Sequence, residues 1–191
     1  MKTVKILLVL AISALAFKPA PTASAWKIDK NHAKLTFTIT HMMVSEVEGT
    51  FKTFDANLSA PGSDFANASV DFTATTSSLS TDNDMRDQHV KSDAFLDAAK
   101  YPTITFKSTL FKRIKPNVYR VTGNLTMHGT TQTVTLNATT RTGEDANHNV
   151  VVGFKIEGVV KRSNFGIGTG FGAKTVGDEV ALRANAEFAK A

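Results

Sequence analysis

Eight stretches of this 191-residue chain alternate apolar and polar residues with a period of two, and one stretch alone among them is built for a helix. That combination limits the fold more tightly than any single motif. Leu35, Phe37, Ile39 and His41 alternate with Lys34, Thr36, Thr38 and Thr40, which predicts a strand with one apolar face. Gly49 and Phe51 share a face, whereas Phe54, Ala56 and Leu58 fall on the opposite phase, so a bulge or bend near Lys52 and Thr53 is expected. Ala68, Val70, Phe72 and Ala74 give the next strand, and Ile104, Phe106, Ser108 and Leu110 another. Tyr119 to Met127 and Val134 to Ala138 flank His128-Gly129 as a hairpin. After a polar loop, Val150, Val152, Phe154, Ile156, Gly158 and Val160, and then Val180, Leu182, Ala184, Ala186 and Phe188, complete the set.

Strands in this number predict an all-β protein, an antiparallel barrel or a sandwich. Strands of about 10 residues span roughly 33 Å, and a barrel of about eight has an interior just able to hold one small ligand. Length and strand count favour the barrel. One domain is expected, because no linker or repeat divides the chain.

The first 25 residues read differently. Lys2 and Lys5 precede an apolar run from Ile6 to Phe17, followed by two prolines and Ala23-Ser24-Ala25, the pattern of a secretory signal peptide cleaved after Ala25. The apolar run is too short for a stable membrane anchor, which needs roughly 20 residues. This divides the chain into residues 1–25 and an exported domain of residues 26–191. Cleavage removes three lysines and no acids, taking Lys+Arg from 22 to 19 against 17 acids, a net charge of +2 instead of +5. With no basic stripe interleaved with aromatics, nucleic acid is set aside as a partner. The chain has no cysteine, so an exported protein of this size must rely on its core rather than on disulfides.

The helix-capable interruption is Thr81–Phe106, with Thr81 and Asp84 spaced as a capping box and a short helix expected from about Asn83 to Lys91 within an insertion near residues 83–97. Met85, Phe95 and Leu96 need burial, which a lid across one barrel opening supplies. Arg86, Asp87 and His89 form the only compact group of acid, base and cation. Arg86 and His89, three residues apart, either hold the polar head of a ligand, or Arg86 pairs with a carboxylate on the rim and fastens the helix. His41 lies either at the mouth of the interior or hydrogen-bonded at a strand end. No catalytic residue is assigned: there is no G-x-S-x-G elbow, no histidine pair at metal-ligand spacing and no dinucleotide fingerprint in the glycines at 166, 168, 170 and 172, which read as a flexible loop. No metal and no cofactor are expected. Thirteen phenylalanines against two tyrosines and one tryptophan suit a dry interior that prefers a hydrocarbon chain.

Asp29 with Asn31-His32, Phe37 and His41, Gly49-Thr50-Phe51, the run Arg86–Ser92, Tyr101–Phe106, Gly123–Thr131, Arg162–Gly166 and Val176–Val180 occur in an order that resembles the YceI-like family of secreted bacterial lipid-binding proteins across the domain. Two motif positions depart mildly from the family's usual pattern, Ala33 and Val90. The resemblance implies a lipocalin-like β-barrel of about eight strands, a non-catalytic periplasmic carrier, and a long-chain isoprenoid or other amphiphilic lipid as partner. A fatty acid or fatty amide, or a filled barrel with no ligand, are the alternatives, and a homodimer stays open. Motif position and strand phase together make Phe37, Ile39, Phe51, Phe72, Phe95, Phe106 and Phe165 candidates for the pore wall, and His41, Arg86 and His89 for its polar end.

Overall fold

The computed structural model describes residues 23–62 and 64–191; apart from its last three residues the expected signal segment lies outside them. Ten strands and one α-helix follow one another: β1 (Ser24–His41), β2 (Ser45–Phe51), β3 (Phe54–Ala60), β4 (Ser69–Thr75), β5 (Leu79–Ser80), α1 (Asp84–Lys91), β6 (Thr103–Lys115), β7 (Val118–Met127), β8 (Thr130–Glu144), β9 (Val150–Lys161) and β10 (Val176–Lys190). Every pairing is antiparallel. β3, β4, β6, β7, β8, β9 and β10 stand side by side in that order, and β1 closes the ring by pairing with both β10 and β3. The result is a closed barrel of eight strands with one short helix.

The bend expected at Lys52 and Thr53 is the break between β2 and β3, and it lets one bent strand serve both ends of β1. Ser24–Lys27 pair with β3, and Leu35–His41 pair with β2. Phe51, Ala56, Leu58 and Ala60 all stay buried across the bend. The hairpin at His128-Gly129 is present, with φ of 50° and 72°, the left-handed pair of a tight type I′ turn.

Three expectations need correction. β1 starts ten residues before Lys34, because a register shift between Asp29 and Ala33 interrupts the alternation that makes a strand legible. Leu110 is 51% exposed: a bulge between Ser108 and Leu110 inverts the phase, and Phe111 takes the inward position. Met85 is 82% exposed, since α1 turns its Asp87 face to the barrel.

The core is concentrated at the end of the barrel where β1 begins. Trp26, Phe65, Phe111, Tyr119, Phe154 and Phe188 are all buried and interlock with centroid spacings of 5.3 to 6.3 Å. Five of these rings come from strands. Phe65 comes from the β3–β4 connection, which folds across this opening: Tyr119 Oη–H donates to the carbonyl of Asp64, and Asn67 N–H donates to Phe111 O at 3.1 Å. The plug carries one unpaired group, the buried indole N–H of Trp26.

At the other end, α1 is fastened by Asp87. The N-cap is Asn83, whose Oδ1 accepts from Arg86 N–H at 3.0 Å, and not Thr81. Thr81 instead donates its N–H (2.7 Å) and its hydroxyl (2.6 Å) to one oxygen of Asp87. Burial is the largest influence on this carboxyl and opposes its ionisation. Thr81's two donors, the charge of Lys91 and the Ser80 hydroxyl outweigh it together and hold the group below its ordinary range.

Two outcomes follow. Phe65→Ala should cost about 3–5 kcal/mol in urea unfolding, as deletion of a buried ring does. Because the folded-state pKa of Asp87 is lowered, its contribution is present above the unfolded value of about 3.9 and is lost as pH falls through the lower folded value. Asp87→Ala should therefore destabilise by about 1.5–3 kcal/mol at pH 7, with the gap to the native chain narrowing in melts as the pH falls below the unfolded value of about 3.9.

Candidate functional site

Opposite the aromatic plug the barrel is hollow. A chamber of about 590 Å³ opens at the end where β1 finishes and α1 crosses. Strand phase builds its wall: Phe37 and Ile39 from β1, Val47 and Phe51 from β2, Ile104 from β6, Met127 from β7, Val160 from β9, and Val180 and Leu182 from β10. Most sit toward the open end of their strands, while Phe51 stands at the deeper end of β2, opposite Leu35. The roof comes from two connections, α1 with the segment to Leu96, and residues 166–175 between β9 and β10.

Those connections meet in an aromatic clasp. Phe95 stacks on Phe171 at 4.8 Å, and His89 stands edge-on to both, at 5.1 and 5.6 Å. Phe95 also covers Gly168, where a Cβ would lie 2.7 Å from its ring; with φ of 60° this position requires glycine twice over.

Arg162 holds the second connection in place. It is 5% exposed, and all five guanidinium N–H groups are spent on backbone carbonyls: Nε on Gly177 (3.0 Å), Nη1 on Ile167 (2.9 Å) and Gly168 (2.6 Å), and Nη2 on Phe171 (2.7 Å) and Val176 (2.9 Å). The glycine run is thus an anchored roof, not a free loop. Asp178 accepts from Ser163 through both N–H (3.0 Å) and Oγ (2.9 Å), which together with the charge of Arg162 holds its carboxyl below the usual range.

Of the ten residues expected at the site, Phe37, Ile39, His41, Phe51, Arg86, His89 and Phe95 line this chamber. His41 is at the mouth, exposed, between Ser45 and Val176. Arg86 bonds Thr81 and not a rim carboxylate, which was one of the two partners open to it, with Nε donating to Oγ1 at 2.8 Å and Nη2 to the carbonyl at 2.7 Å, and it remains exposed at the chamber edge. Phe72, Phe106 and Phe165 do not line it. Phe72 packs beside Phe54 lower in the barrel, at 6.3 Å. The Phe106 ring lies across Gly123, and Phe165, 1% exposed, is held in the turn after β9 with His128 Nδ1 donating to its carbonyl at 3.2 Å.

Sequence reasoning passed over Phe171, Ile167 and Arg162, because glycine spacing masked their connection as a loop. It passed over Met127, Val160, Val180 and Leu182 although strand phase had them facing inward; which end of each strand bordered the chamber was the missing fact. One compact group of acids and a histidine lies outside the chamber. The bulge in β1 sets His32 Nδ1 2.8 Å from Asp29 Oδ2, and β10 brings Glu187 alongside. The hydrogen bond from His32 lowers the Asp29 carboxyl and raises the imidazole. This group lies at the plugged end of β1, away from the chamber.

The family model described as a YceI-like domain matches residues 26–188. Protein YceI of Escherichia coli O17:K52:H18 is 38% identical over 172 residues, 88% of this chain and 90% of that protein. A relative from Pectobacterium atrosepticum is 36% identical over 165 residues, 85% of each. Among solved structures, BcnA of Burkholderia cenocepacia superposes with a TM-score of 0.74 at 27% identity, covering 84% of this chain and 98% of that one. A polyisoprenoid binding domain from Saccharophagus degradans shares the fold at a TM-score of 0.64 and 12% identity, over 88% and 99%. By sequence and by fold, the chain belongs to the YceI-like family.

Proposed function

We propose that this protein is a non-catalytic carrier that encloses the chain of one long amphiphilic lipid, an isoprenoid or an isoprenoid quinone, and that it works in the periplasm. The observation that carries this reading is the chamber itself: about 590 Å³ within the 300–1,000 Å³ usual for ligand sites, walled by aliphatic and aromatic side chains, with polar groups gathered at the mouth. A filled barrel would have no such space. The Saccharophagus degradans domain that shares this fold is a polyisoprenoid binding domain, which supports the same ligand class.

Affinity then comes from the chain. Burying roughly 400 Å² of hydrocarbon at about 25 cal/mol per Å² gives on the order of 10 kcal/mol before the cost of association. Orientation comes from His41, Arg86 and His89 at the mouth. The non-catalytic reading is supported by how the charged groups are used: Arg162 and Asp87 are buried and committed to holding the roof. Export is supported by the N-terminal sequence, with residues 1–25 removed.

Native mass spectrometry of protein purified from its own periplasm should show one bound molecule of lipid mass, and solvent extraction should identify an isoprenoid; a fatty acid or amide would be told apart by mass. Reproducibly empty protein that takes up neither would contradict the proposal. Val180→Asp, which puts a charge in the apolar wall, should abolish retention, while Arg86→Ala should weaken it by about tenfold or less. N-terminal sequencing of the exported protein should begin at Trp26.

A further inference from the structure

Resting on the lipid-carrier reading, we infer that the chamber accommodates an apolar chain of about twenty carbons and no more, because a tier of side chains across the middle of the barrel gives it a floor. Moving one inward step down from the lining residues leads from Phe37 to Leu35, from Ile104 to Phe106, from Met127 to Leu125 and from Leu182 to Ala184. None of these deeper residues lines the chamber. Phe106 and Leu125 are buried, at 7% and 6% exposure, and Leu35 and Ala184 are half-buried.

Two glycines let this tier reach across. A Cβ at Gly123 would lie 2.5 Å from the Phe106 ring, and one at Gly158 would lie 2.4 Å from Cδ2 of Leu136. The large side chain of each pair occupies the room its glycine neighbour leaves inside the barrel. Below them stands the aromatic plug of Trp26, Phe65, Phe154 and Phe188. A chain entering at the mouth therefore meets packed side chains partway down rather than a passage through the barrel.

The volume sets the length. At about 30 Å³ for each water-sized group, 590 Å³ holds about twenty such groups, close to four isoprene units. A longer chain must leave its remainder outside the mouth, where no wall removes it from water. Affinity should thus climb by roughly fourfold for each further CH₂ buried until the chamber is full, and then stop climbing.

The test is a ladder of prenols with ten, fifteen, twenty, twenty-five and forty-five carbons, each competing with the fluorescent probe N-phenyl-1-naphthylamine for delipidated full-length mature protein. The expected result is a steep rise up to geranylgeraniol, with twenty carbons, and a plateau beyond it. Leu136→Ala, which lowers the floor, should shift the plateau to a longer prenol. Leu182→Phe, which adds a ring to an open wall, should shift it to farnesol, with fifteen carbons, and keeps the test decisive if the first variant fails to fold. A rise that continues unbroken to forty-five carbons, or a plateau that the folded variants leave unmoved, overturns the length limit while leaving the carrier reading intact. Displacement by no prenol of any length overturns the carrier reading itself.

Discussion

A closed antiparallel sheet has no edges, and its inward side chains must either fill the space they enclose or leave it hollow. The pairing of β1 with both β10 and β3 imposes that choice here. The chain answers differently at the two ends. Six interlocked rings fill the end where β1 begins, one of them brought in by the β3–β4 connection, and this concentrated core stabilises the barrel enough that the other end can remain unfilled. Cavities in an interior cost free energy, so a retained chamber of this size has to be supported by close packing elsewhere.

The open end depends on two buried ionic groups used as backbone scaffolds. Arg162 gathers three carbonyls of the β9–β10 connection and two at the start of β10, and Asp87 gathers the donors of Thr81 beneath α1. Each gives a stretch without regular hydrogen-bond ladders the partners that its backbone lacks. They hold Phe171 and Phe95 close enough to stack at 4.8 Å over the chamber. The charged residues near the site thus shape the roof, and the residues left facing the interior are hydrocarbon.

Much of this was legible in the sequence because a strand advertises itself through alternation. β7, β8, β9 and β10 could be read from Tyr119, Leu136, Phe154 and Leu182 in phase with their neighbours, and the bend at Lys52 and Thr53 from a phase change. Where the backbone departs from regular pairing the signal failed: the bulges after Asp29 and Ser108 hid the start of β1 and turned Leu110 outward. Phe72, Phe106 and Phe165 show a different limit. Each was expected on the pore wall and none lines the chamber, because whether a buried ring borders a chamber or fills the barrel depends on its height along the axis and on neighbours such as Gly123, which alternation does not encode. The role of Arg162 is not legible in the sequence, because its five acceptors are all backbone carbonyls and leave no trace in residue types.

The central claim is that an apolar chain enters the chamber from the mouth and stops above the plug. Intermolecular NOEs between methyl-labelled protein and bound geranylgeraniol measure this directly. The account predicts cross-peaks from the chain to the methyls of Ile39, Ile104, Val160 and Leu182, and none to those of Leu58 and Val152 at the plugged end. Cross-peaks confined to the outer surface, or reaching Val152, would contradict it.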